Sequence, residues 1–187
     1  MTDYFALLQQ PRHPWLDLDQ LKRRYQELTL AQHPDSTGGR ESSADFSLVN
    51  EAYRVLADPK LRLQYLLRLS GIDPNADQAI PQELLDLFNR LGGFVQATDE
   101  LLQRVNSTQN ALARSLLRPE IAAQGEEAEE LLEKTRQLYN EALTDARSLN
   151  ETWAQAPRQL AQLFRRLAYL TRWIQQLEER QFQLSTR

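Results

Sequence analysis

The stretch His33-Pro34-Asp35 decides the reading of this 187-residue chain, because of what stands on either side of it. Before it, Leu18, Leu21, Tyr25 and Leu28 recur at helical spacing, which keeps all four side chains on one face of a helix over 18–32. After it, Phe46, Val49, Tyr53 and Leu56 repeat that spacing across 42–57. Two such stripes joined by a short loop can bury their apolar faces against each other as an antiparallel helical hairpin. Pro34 lacks an N–H and biases His33 away from helical angles, so the first helix is expected to end there. Ser36, Thr37, Gly38 and Gly39 supply a polar, bendable connection to the second helix. The tripeptide is thereby expected at the exposed tip, where ionised Asp35 is purely an acceptor suited to a guanidinium on another protein.

Composition narrows the function classes. The chain has 22 Lys and Arg against 26 Asp and Glu, a net charge of −4, with the surplus negative charge lying after residue 70. That balance argues against a nucleic-acid-binding face and is too mild for an acidic metal-binding surface. Absence of cysteine excludes disulfides, zinc thiolate sites and iron–sulfur ligation by this chain's own thiols. His13, beside Pro14 and Trp15, reads as a loop residue and is far in role from His33, so no metal or cofactor is expected. No apolar run approaches membrane-spanning length, and Met1-Thr2-Asp3-Tyr4 opens no signal peptide. A soluble, cytoplasmic protein without membrane contact is the expectation. No nucleophile–base pairing, glycine-rich phosphate loop or ligand cluster appears, so the chain does not read as an enzyme.

Ser70-Gly71-Ile72-Asp73-Pro74-Asn75-Ala76-Asp77 carries the turn residues of a boundary and divides the chain into 1–73 and 74–187. Beyond it lie helical patterns and no strand alternation. The first runs from about Pro81 to Val105, with Leu84, Phe88, Leu91, Val95, Leu102 and Val105 on one side. Gly92-Gly93 interrupts it and predicts a kink, a break or close helix packing. A short helix is expected within Leu112 to Leu117, before Pro119 and Gly125. The next pattern spans Glu126 to Ala154, with Thr135, Leu138, Ala142, Ala146, Leu149 and Trp153 inward. Glu126, Glu127, Glu129 and Glu130 would complement its N-terminus. The last begins with Pro157 and shows Leu160, Leu163, Leu167, Leu170, Ile174 and Leu177. Together these predict an all-α chain whose second part is a three-helix bundle.

The N-terminal part resembles a J domain, the co-chaperone module that activates DnaK-type ATPases. The resemblance rests on Asp3-Tyr4-Phe5-Ala6-Leu7-Leu8, Leu21 to Leu28, His33-Pro34-Asp35, and Val49-Asn50-Glu51-Ala52-Tyr53-Arg54-Val55-Leu56-Ala57-Asp58-Pro59. It implies four helices near 4–10, 18–32, 42–57 and 60–69. Pro59 to Gly71, with its Tyr65-Leu66-Leu67 run, is similar to HscB-type J proteins in particular. Asn150-Glu151-Thr152-Trp153 and Arg166-Leu167-Ala168-Tyr169-Leu170 extend that resemblance into the C-terminal bundle.

By this resemblance, His33, Pro34 and Asp35 would dock on a DnaK- or HscA-type ATPase chaperone and promote hydrolysis, with Lys22 and Arg23 adding electrostatic steering. The sequence departs from the family at Gln26, Glu27, Ala31 and Gln32, which thins the expected basic patch. The bundle would hold the iron–sulfur cluster scaffold protein, with Leu84, Leu85 and Phe88 as apolar contacts and Tyr169 as the aromatic on the last helix. Asn89, Gly92 and Gly93 stand where charged residues are expected. Two alternatives remain open at this stage. One is a J-domain co-chaperone for a different client; the other is a structural helical adaptor that oligomerises through the near-heptad run from Leu160 to Leu184.

Overall fold

The computed structural model describes residues 2–31, 41–76 and 79–186, and among them every regular element is helical. The elements are α1 (Tyr4–Leu7), α2 (Leu18–Ala31), α3 (Glu41–Ala57), α4 (Pro59–Leu69), a 3₁₀ turn (Gln82–Leu84), α5 (Leu85–Ser107), α6 (Ala111–Ser115), α7 (Arg118–Ser148) and α8 (Pro157–Ser185). They form two compact units. The first holds residues 1–78 together with 143–164, and the second holds 79–142 and 165–187.

Local chemistry sets the helix ends of the first unit. Asp3 starts α1 by accepting from the Phe5 N–H at 3.0 Å. Asp17 caps α2 through the N–H groups of Asp19 and Gln20, at 2.9 and 3.0 Å. Asp58 accepts from the Leu61 N–H at 2.8 Å, and Pro59 fills the first position of α4, where its missing donor costs nothing. Helix α4 ends at Leu69 with Ser70 as its cap, and Gly71 follows with a φ of 72° that lets Ile72 N–H reach Leu67 O at 2.9 Å, while Gly71 N–H reaches Arg68 O at 3.0 Å.

Helix α3 packs on α1, α2 and α4. Phe5, Leu8, Leu16, Leu21, Val49, Ala52, Leu56, Leu63, Leu66 and Leu67 are buried. Both predicted stripes thus form, but they are buried unevenly. Leu21, Val49 and Leu56 are in the core, whereas Leu18 and Phe46 are 52% and 43% exposed. The helix expected over 4–10 ends at Leu7.

The second unit is a three-helix bundle of α5, the part of α7 up to residue 142 and the part of α8 from residue 165. Arg90–Glu130 and Arg104–Glu120 pairs join α5 to α7, and Arg136–Glu178 and Arg166–Glu141 join α7 to α8. In each set, rising numbers on one helix meet falling numbers on the other, so α7 runs antiparallel to both neighbours. Arg180–Asp99 at 3.0 Å joins α8 to α5, which run parallel. Arg90–Glu130, Arg104–Glu120 and Arg136–Glu178 are about half exposed or more on both sides and each contributes at most about 1 kcal/mol, whereas the Arg166 and Arg180 side chains are mostly covered. Burial of Leu84, Leu87, Leu91, Phe94, Leu101, Leu131, Leu132, Leu167, Leu170, Trp173 and Leu177 holds the bundle together.

Four expectations need correction. Helix α5 runs unbroken through Gly92-Gly93, and a Cβ built on either glycine meets nothing within 4 Å, so neither glycine serves close packing. Leu87, Phe94 and Leu101 face the core, displacing Phe88, which is 43% exposed, and Val95, which is half-buried. Helix α7 starts at Arg118, so Glu126 to Glu130 lie within it; Pro119 falls in its first turn, where proline is tolerated. The leucines Leu160, Leu163, Leu167, Leu170, Leu177 and Leu184 are at most 5% exposed within the single chain, which removes the surface an oligomerising adaptor needs.

Candidate functional site

Two places gather the residues that sequence reading singled out. The first is the hairpin of α2 and α3. Tyr25 of α2 and Tyr53 of α3 stack with centroids 4.3 Å apart, and the Tyr25 hydroxyl donates to Asn50 Oδ1 at 2.7 Å. An aromatic stack crossed by a hydrogen bond fixes both the spacing and the rotation of the two helices. Lys22 and Arg23 are exposed on α2, while Arg24 is engaged by Glu27 at 2.8 Å. His33, Pro34 and Asp35 lie outside the described residues.

The base of the hairpin is braced by polar contacts. Arg62 is 1% exposed; its Nε donates to Pro14 O at 2.8 Å and its Nη1 to Leu56 O. One buried guanidinium thereby satisfies carbonyls from the loop before α2 and from the end of α3. Tyr65 stacks on Tyr4 at 4.7 Å; its hydroxyl accepts from the Tyr4 N–H and donates to Thr2 O. Burial pushes the Tyr65 hydroxyl pKa up, opposed by the Tyr4 N–H and reinforced by the Asp3 charge. Partial burial raises Asp3, but the Arg12 guanidinium at 2.6 Å, with the Ala6 and Phe5 N–H groups, outweighs it and holds the carboxyl below its ordinary value.

The second place is a cleft of about 260 Å³ between α5 and α8, lined by Phe88, Leu91, Gly92 and Val95 on one side and Tyr169, Arg172, Trp173 and Gln176 on the other. Phe88 and Trp173 stack with centroids 6.3 Å apart, and Tyr169 tilts against Trp173 at 5.6 Å. The structure therefore brings together Phe88 and Tyr169, which are far apart in sequence. Leu85 is 41% exposed on the same helix. Leu84 is fully buried; the 3₁₀ turn that leads into α5 points it inward, so it is core and not contact surface.

Sequence reading missed Trp173 and Arg172. Trp173 follows Tyr169 by one helical turn, a spacing that stacks neighbours on one face, and this was the available signal. That Gly92 opens the floor of the same cleft needed the register of α5 against α8. Among the described residues no group of three or more His, Cys, Asp or Glu is placed to hold a metal, and no helix is long and apolar enough to cross a membrane.

A DnaJ domain family model matches residues 3–65. Co-chaperone protein HscB of Proteus mirabilis is 35% identical over 109 residues, 52% of this chain and 63% of that protein. Iron–sulfur cluster co-chaperone protein HscB of Mus musculus is 32% identical over 152 residues, 74% of this chain and 65% of that protein. The chain thus spans just under two thirds of the length of these curated relatives. Among solved structures, chaperone HscB from Vibrio cholerae superposes with a TM-score of 0.61 at 23% identity, covering 95% of this chain and 96% of that one. Human co-chaperone protein HscB gives 0.59 at 21% identity, covering 95% and 81%. At these identities the structural likeness speaks for the fold.

Proposed function

We propose that this chain, which carries a DnaJ domain and is similar in sequence to HscB co-chaperones, is an HscB-type J-domain co-chaperone in iron–sulfur cluster assembly. In this reading it stimulates the ATPase of a DnaK- or HscA-type chaperone and delivers the iron–sulfur cluster scaffold protein to it. It performs no covalent chemistry of its own and works in the cytoplasm.

The observation that carries the reading is the DnaJ-domain match over 3–65, which encloses His33, Pro34 and Asp35 between α2 and α3. Tyr25, Tyr53 and Asn50 fix the spacing of α2 and α3, the two helices that flank the motif in sequence. Lys22 and Arg23 on α2 supply exposed positive charge that speeds association with an acidic chaperone surface and weakens with salt. The cleft at Phe88, Tyr169 and Trp173, with Leu85 nearby, is the place where the scaffold protein docks.

Steady-state ATP hydrolysis by the chaperone, with and without this protein and the scaffold, tests the proposal. Stimulation by the wild type and its loss in Asp35→Asn is the expected result. Equal hydrolysis with and without the wild type would refute it.

The cleft also supports a second reading, a J-domain co-chaperone with a different client. It is favoured by Gly92 and Gly93, which leave the expected charged positions of α5 empty. Recovery of another protein, and not the scaffold, on the immobilised full chain would decide for it.

A further inference from the structure

The cleft between α5 and α8 has an uneven chemistry. Its walls are Phe88, Leu91, Val95, Tyr169 and Trp173, and the single charged residue lining it is Arg172. Arg172 is exposed and makes no ion pair among the described residues. By contrast, Arg90, Arg136, Arg166 and Arg180 of the same bundle are each held by a carboxylate. No acidic residue lines the cleft, so nothing of this chain's own neutralises that cation there.

Gly92 adds the second half of the argument. A Cβ built on it meets nothing within 4 Å, so the glycine leaves space that any other residue would begin to fill. At about 260 Å³ the cleft falls below the roughly 300–1,000 Å³ of sites that enclose small molecules. It fits one bulky side chain of a partner, and aromatic walls with an arginine at the rim are what anchoring pockets of protein interfaces are made of.

We propose that this cleft receives a bulky apolar side chain of the scaffold protein whose neighbouring carboxylate pairs with Arg172. Binding energy then comes from desolvation of exposed Phe88 and half-buried Tyr169, which the buried Trp173 ring backs. Selectivity comes from the guanidinium, which accepts a planar carboxylate in two-pronged geometry and repels a basic segment. The inference rests on the scaffold reading above and gives that partner a charge requirement.

Isothermal titration calorimetry of the full chain against the cluster-free scaffold protein, at about 50 and about 500 mM salt, tests it. Wild-type affinity is expected to fall with salt. Arg172→Met should weaken binding at least about tenfold at low salt and lose most of that salt dependence. Gly92→Trp should fill the cleft and abolish binding, while Gly93→Ala, outside the lining, binds like the wild type. Circular dichroism checks that each variant is folded, and Arg172→Met, an exposed substitution, decides the matter if Gly92→Trp is not. Wild-type binding that is unchanged in Arg172→Met, with the same salt slope, overturns the charge requirement and leaves the scaffold reading intact. No binding by the wild type itself overturns both.

Discussion

Trp15 and Asn150 hold each other twice: the Trp15 N–H donates to Asn150 Oδ1 at 2.9 Å, and Asn150 Nδ2 donates to Trp15 O at 3.2 Å. The Arg147 guanidinium lies over the Trp15 ring, 4.7 Å from its centroid. A residue of the loop before α2 is thus fastened to the turn between α7 and α8, within the first compact unit. A side-chain amide satisfying both polar groups of one residue mimics a strand pair and leaves little freedom in the loop.

Asn150→Ala removes both hydrogen bonds and leaves Trp15 N–H and C=O, which are partly buried, without that partner. It should lower stability by about 1–3 kcal/mol in urea titration. Arg147→Ala, which removes only the cation–ring contact, should cost about 0.5–1 kcal/mol.

Arg62 is the most consequential polar residue of the first unit, since Pro14 O and Leu56 O both accept from it inside the protein. Arg62→Ala is expected to lose about 3–5 kcal/mol through the cavity and the unsatisfied carbonyls. Arg62→Lys restores charge but not the fork and should recover only part of it. Chemical denaturation followed by helical circular dichroism measures both.

Gly93→Ala should stabilise the chain by about 1 kcal/mol, because alanine restricts the unfolded chain and meets no neighbour in α5. A thermal melt that moves upward checks this.

Stability should decline at both ends of the pH scale for reasons that sit close together. Asp3 titrates below its ordinary value in the folded protein, so its contribution is present above about pH 4 and is lost as pH falls through the depressed value. Asp3→Asn should flatten that acid limb. Tyr65 is raised, so the folded state favours the neutral phenol. Its contribution holds below about pH 10 and is lost as pH rises further. Tyr65→Phe should remove the alkaline loss, at the expense of the hydrogen bonds to Tyr4 and Thr2. Denaturation midpoints across pH read both limbs.

The hairpin was legible because its stripes are periodic and flanked by breakers: Leu21, Val49 and Leu56 are buried where spacing placed them. The same logic failed at Pro119 and Gly125, which read as boundaries yet lie inside α7. A proline in a first turn and a glycine in a long helix are both affordable, and only tertiary contact reveals which case applies. Phe88 followed the apolar pattern of α5 but belongs to its exposed edge, since Leu87 and Phe94 fit the core register better. The cleft was half legible. Phe88 and Tyr169 emerged from family resemblance, whereas Arg172 and Trp173 required knowing that α5 and α8 lie side by side in parallel.

The first compact unit takes residues 1–78 and then waits for 143–164. During synthesis, the ribosome must therefore release most of the chain before Trp15 can meet Asn150. Until then the N-terminal helices emerge with one flank uncovered, so nascent-chain protease protection of that flank should rise late, when the second segment clears the exit tunnel.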